Sequence, residues 1–199
     1  MPIDLNTAGP QRDFTPIAPA IYSVTIRVKP GSAGPDGSLT RSKDGACEML
    51  VFDAIVDEGE HAKARIFERC VISGSTKGHH DAIDISFRRL RALVESAKGV
   101  RPDDQSPAAV AARSINSFAD LNGLRCLARV GIEPERKNEK TGEVYQARNF
   151  IQEFITPDRV DWRQLPQTPS EFPGVTPTSK ADEPTASVTT LTKRPDWAK

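Results

Sequence analysis

Lys63-Ala64-Arg65-Ile66-Phe67-Glu68-Arg69-Cys70-Val71-Ile72-Ser73 is the stretch on which the fold turns. With a period of two, Ala64, Ile66, Cys70 and Ile72 fall on one face, and Arg65, Phe67 and Arg69 on the other. A strand with an apolar face and an Arg-Phe-Arg face suits an anionic partner that carries flat rings. Guanidinium groups neutralise phosphates, and an exposed aromatic stacks on a base. The same alternation also describes an ordinary sheet strand whose charged face is solvated and whose Phe is covered by a helix. The flanking sequence has to decide between the two.

Upstream, residues 46–57 (Ala-Cys-Glu-Met-Leu-Val-Phe-Asp-Ala-Ile-Val-Asp) are apolar on both faces, the pattern of a central strand. Glu58-Gly59-Glu60 makes the turn between this strand and the next. Before it, residues 30–45 are rich in Gly, Ser and charge and read as a long flexible hairpin loop, with Arg41 and Lys43 able to reach a phosphate backbone. Tyr22, Val24, Ile26 and Val28 alternate with Ser23, Thr25, Arg27 and Lys29, a half-buried strand whose polar face ends in two cations. Residues 1–19 carry four prolines and few apolar residues and are expected to form a flexible N-terminal arm.

Downstream, residues 81–99 have the helical spacing of Phe87, Leu90, Leu93, Val94 and Ala97. Asp81 stands at the expected N-cap, Gly99 at the end, and Arg88, Arg89, Arg91 and Lys98 on the other face. Ser106-Pro107 opens a second, short helix. Residues 116–123 then form a turn closed by Gly123. In residues 124–133, Leu124, Cys126, Ala128, Val130 and Ile132 oppose Arg125, Leu127 and Arg129. In residues 143–155, Tyr145, Ala147, Asn149 and Ile151 oppose Gln146, Arg148 and Phe150. From residue 157 the chain is rich in Pro, Ser and Thr and is expected to be a disordered tail, because it has too little apolar surface to repay its ordering entropy.

The expected fold class is therefore mainly β. It is a five-stranded, OB-like antiparallel barrel over residues 20–156 with a helical insert between strands three and four and disordered termini. Cations recur on the polar face of four strands: Arg27 and Lys29, Arg65 and Arg69, Arg125 and Arg129, and Arg148. Phe67 and Phe150 share that face, and each would contribute about 1–3 kcal/mol if it stacked on a base. With 27 basic and 27 acidic residues the net charge is zero, so any such binding must rest on local charge.

Other chemistry is poorly supported. Cys47, Cys70 and Cys126 show no CxxC pairing and no His at ligand spacing, so neither a zinc site nor a disulfide framework is expected. His79, His80, Asp81 and Asp84 are the one cluster of metal-like composition, and Asp81 there has an ordinary capping role. The glycine-rich loop at residues 31–37 lacks the phosphate-loop pattern, and no nucleophile–base arrangement can be drawn from three histidines. No catalytic residue, metal or cofactor is expected. With neither a signal peptide nor an apolar run of membrane-span length, a cytoplasmic protein is expected.

Several short motifs carry a resemblance. They are Ala20-Ile21-Tyr22-Ser23-Val24, Ser42-Lys43-Asp44-Gly45, Lys63-Ala64-Arg65-Ile66-Phe67, Leu90-Arg91-Ala92-Leu93, Asp120-Leu121-Asn122-Gly123 and Tyr145-Gln146-Ala147-Arg148-Asn149. Over about residues 14–156 the chain resembles a family of phage-associated, OB-fold single-stranded DNA-binding proteins, long catalogued as a family of unknown function. The resemblance implies a non-catalytic protein that binds single-stranded DNA in phage or prophage replication or recombination, in the host cytoplasm. Its binding residues would be Arg27, Lys29, Arg41, Lys43, Arg65, Phe67, Arg69, Arg125, Arg129, Arg148 and Phe150. The tail, which ends near Trp197, would recruit replication or recombination proteins or tune self-association into a homo-oligomer. The chain departs from the family at the turn of residues 58–65, where a second glycine is replaced. The competing expectation is a phage accessory or assembly module that binds another protein through the same barrel.

Overall fold

The computed structural model describes residues 15–139 and 142–167. The elements run β1 (Ala20–Val28), β2 (Leu39–Arg41), β3 (Cys47–Val56), β4 (Arg65–Gly74), α1 (Lys77–Lys98), α2 (Pro107–Arg113), a 3-10 turn (Phe118–Leu121), β5 (Arg125–Glu133), β6 (Arg136–Lys137), β7 (Val144–Tyr145) and β8 (Arg148–Phe154). The protein is mainly β, with a six-stranded antiparallel sheet, and β6–β7 form a separate two-stranded hairpin. On one side β3 pairs with β4. On the other it pairs with β2 through Leu50 and Met49, and with β1 through residues 52–56. β1 continues to β5, and β5 to β8.

Alternation sorts the side chains as the period of two requires. Val24, Ile26, Leu50, Phe52, Ala54, Ile66, Cys70, Cys126, Ala128 and Ile151 form the core together with Leu90, Leu93, Val94 and Ala97 of α1. At the two ends of the sheet, β4 and β8 are joined by side chains: Ile151 N–H donates to Glu68 Oε1 (2.7 Å), and Arg89 Nη2 donates to Glu68 Oε2 (3.2 Å) and to Ile151 O (2.8 Å). A carboxylate and a guanidinium here take the place of ladder bonds.

Several expectations are corrected. Residues 30–45 are not simply a loop: Leu39 is buried and pairs with Leu50, which adds β2 as a sixth strand to the sheet. Residues 143–155 do not form one strand, because Tyr145 belongs to the β6–β7 hairpin and β8 begins at Arg148. α1 starts before Asp81. Its N-cap is Thr76, which accepts from His79 N–H while His79 Nδ1 accepts from Thr76 N–H. Phe87, expected on the core face of α1, is exposed, and Arg89, expected on its solvent face, turns to Glu68.

Both expected tails contain packed residues where they adjoin the sheet domain. Ile17 is buried, and its N–H and carbonyl bond the Asn149 side-chain amide (2.8 and 2.9 Å). Residues 157–167 form a strap: Trp162 Nε1 donates to Ser96 O (3.2 Å), Leu165 packs with Leu127 and Ile155, and Gln167 bonds both the N–H and the carbonyl of Arg125 (2.9 and 2.8 Å). The rest of the arm, 1–14, and of the tail, 168–199 with Trp197, lies outside the described residues. At the turn where a second glycine is replaced, Lys63 itself takes the left-handed conformation (φ 70°), at a cost of about 1–2 kcal/mol.

Candidate functional site

The register of β1, β3 and β4 lays the polar face out in rows. Arg27, Asp53 and Phe67 stand side by side; Thr25, Ile55 and Arg65 make the next row. Beyond β1, Lys29 N–H donates to Val51 O, and Val51 is paired with Arg69, so Lys29 and Arg69 flank the same strand. Val51 and Ile55 are buried although they point to this outer face, so its apolar ground is closed to water while the charged heads stay out. Phe67 is 45 % exposed at the centre. Lys29 Nζ lies 4.7 Å from its ring centroid and Arg69 Cζ lies 5.7 Å from it. Lys29 is also paired with the buried Asp53 carboxylate (3.1 Å). Among the described residues neither Arg65 nor Arg69 has an ion-pair partner.

A cavity of about 310 Å³ continues the face from Arg69 toward the β6–β7 hairpin. Arg136, Tyr145, Arg148 and Glu133 line it. Arg136 Cζ sits 5.6 Å from the Tyr145 ring centroid, and Arg148 pairs with Glu133 (2.7 Å). That hydrogen bond holds the Glu133 carboxyl below its ordinary range. Cations and exposed rings thus alternate from β1 across β4 to the hairpin. This arrangement can hold a chain of phosphates and flat rings.

The structure brings together Arg27, Lys29, Arg65, Phe67 and Arg69 of the expected site, with Arg148 at the far wall of the cavity. The remainder are not part of this cluster: Arg125 continues the row of Thr25, Ile55 and Arg65 in the register but is committed elsewhere. The Arg125 guanidinium donates to Asp57 Oδ2 and to Pro166 O (3.1 and 3.0 Å) and is largely buried under the strap. Asp57 also accepts from Ser23 and Thr25, which explains why those two polar residues of β1 are buried. Arg129 is held by Glu153 (2.8 Å) and Asp161 (3.2 Å). Arg41 has the parity of Leu39, past the edge of the core, and pairs with Glu48 (3.1 Å); Lys43 is exposed in the turn before β3. Phe150 stays exposed on the side of β8 that carries Arg148, with one edge of its ring against Gly131, where a β-carbon would come within 2.9 Å of it.

Three residues of the face were missed in the sequence. Asp53 carried a signal: a lone acid inside an apolar central strand needs a partner. Arg136 and Tyr145 carried none, because only the hairpin places them beside Arg69. Among the described residues no group of three His, Cys, Asp or Glu side chains is placed to hold a metal ion, and no helix is long and apolar enough to cross a membrane. No family model, no curated protein and no solved structure matches the chain.

Proposed function

We propose that this chain is a non-catalytic single-stranded DNA-binding protein of the phage-associated kind its sequence resembles, acting in DNA replication or recombination in the host cytoplasm. One observation carries the reading. An exposed phenylalanine at the centre of a sheet face has Lys29 and Arg69 against its ring and Arg65 and Arg27 on the same face, and the face runs on into a second cation–aromatic pair, Arg136 over Tyr145. Phosphates would lie on the cations and bases on Phe67, a mode indifferent to base identity because every base has a flat face. The strand order β4-β3-β1-β5-β8, with Glu68 and Arg89 tying β8 back to β4, supports an OB-like barrel, a fold that binds its ligands on this face and its adjoining loops.

A fluorescence-polarisation titration of labelled oligo-dT, at low and near-physiological salt with matching duplex as competitor, tests the proposal. Binding should weaken with salt and fall at least about ten-fold in the Arg65→Ala/Arg69→Ala pair. Phe67→Ala should lose about 5- to 150-fold, the equivalent of one stacked base. No binding at low salt would overturn the reading in favour of a second one, a module that docks another protein. The exposed Ile85, Phe87 and Val110 of α1 and α2, beside a cavity of about 510 Å³, favour that alternative.

A further inference from the structure

Asp53 is an acid at the centre of a cationic face. Its side chain is 7 % exposed, and it stands between Arg27 on β1 and Phe67 on β4 in the register. Its carboxylate holds Lys29 at 3.1 Å, and the same ammonium lies 4.7 Å from the Phe67 ring centroid. In the free protein, therefore, the charge of Lys29 is already answered and the stacking ring already has a cation against it. We infer that Asp53 is a positioning residue that sets the specificity of this face: it answers Lys29 as a phosphate would, so that a bare polyanion gains little there and only a ligand that also brings a free ring displaces the clamp. The inference rests on the nucleic-acid reading above.

The physical argument is a comparison of exchanges. A phosphate approaching Lys29 must compete with a carboxylate that is already desolvated and fixed, and it meets that carboxylate's repulsion. A base stacking on Phe67 displaces Lys29 from the ring, but its flat face carries no net charge and so meets no such repulsion from Asp53. A single strand supplies a phosphate and an unstacked base together, so the second offsets the poor exchange of the first. Duplex DNA and inorganic polyphosphate present phosphates without a free base face. Asp53 thus penalises these two ligands more than it penalises a single strand, although the face carries four cations suited to all three.

The test measures labelled oligo-dT binding to the full chain, with unlabelled duplex and inorganic polyphosphate as competitors. In Asp53→Asn, which keeps the size and an acceptor oxygen for Lys29, polyphosphate and duplex should compete about five- to ten-fold better. The preference for the single strand should shrink by a similar factor. Lys29→Met, which keeps an apolar stem at the ring but leaves Asp53 facing the ligand, should raise the preference. It should do so more than Arg65→Met, which removes an equal charge and leaves the clamp intact; this comparison keeps the test open if Asp53→Asn does not fold. Wild-type binding to oligo-dT with a preference unmoved by Asp53→Asn, or with Lys29→Met and Arg65→Met alike, would overturn the role of Asp53 and leave the function standing. Absence of oligo-dT binding by the wild type would overturn both.

Discussion

Glu68 sits at the parity of Ile66 and Cys70, on the side of β4 that faces the core, yet it is a carboxylate. Burial pushes its carboxyl above the ordinary range, while Arg89 and the Ile151 N–H oppose that push. The same burial holds the Cys70 thiol up at about 11. A charge this enclosed persists only when it is answered, and Arg89 and the β8 backbone answer it. Replacing Glu68 by Leu should therefore cost about 3 kcal/mol in urea unfolding, since it leaves the enclosed Ile151 N–H without its acceptor and takes from Arg89 its carboxylate, leaving it only Ile151 O. A loss under about 1 kcal/mol would mean that the link between β4 and β8 is incidental. In the sequence Glu68 is visible as an acid at an apolar position, but its partner, 21 residues on, is not.

At the scale of elements, the connection between β1 and β3 is held to the rest of the molecule at its tip. The Asp36 carboxylate accepts from Ser117, ahead of the 3-10 turn, and from Ser38 beside β2. These bonds, that from Ser117 foremost, hold its carboxyl down at about 2. Because the folded value lies below the unfolded value of about 3.9, the anchor contributes fully above the latter. Its contribution is lost as pH falls toward about 2. Melting temperature should fall between about pH 4 and pH 2 more steeply in the wild type than in Asp36→Asn, and parallel curves would exclude the anchor. Composition marked residues 30–45 as loop because Gly, Pro and charge dominate there. What makes β2 is one residue, Leu39, whose burial against Leu50 is a tertiary event.

Over the whole molecule, the cations that share one alternation in the sequence divide between two tasks. Arg125 and Arg129 fasten residues 157–167 and Asp57 to the sheet, whereas Arg65 and Arg69 have no ion-pair partner among the described residues. Arg125→Ala should cost about 3 kcal/mol of stability, because it leaves Asp57 enclosed without its cation, and should change oligo-dT affinity less than two-fold. A binding loss equal to that of the Arg65→Ala/Arg69→Ala pair would return Arg125 to the interface. On the DNA-binding reading, Arg65 and Arg69 together imply a slope of about −1.4 in log affinity against log salt for a single strand, from about 0.7 per phosphate.

The mainly β class, five of the six strands of the sheet, α1 and the Arg-Phe-Arg face of β4 were legible in the residue pattern, and α2 in the Ser106-Pro107 start signal. Both signals are local: periodicity depends only on how side chains leave a strand or a helix, and a cap only on the first turn. Which of the cations are committed within the fold depends on the packing of distant segments. Periodicity gives the face of a strand but not the strand across from it, and a guanidinium is committed or available according to whether a carboxylate from elsewhere in the chain arrives beside it. Asp57 and Pro166 reach Arg125, Glu153 and Asp161 reach Arg129, and no carboxylate among the described residues reaches Arg65 or Arg69.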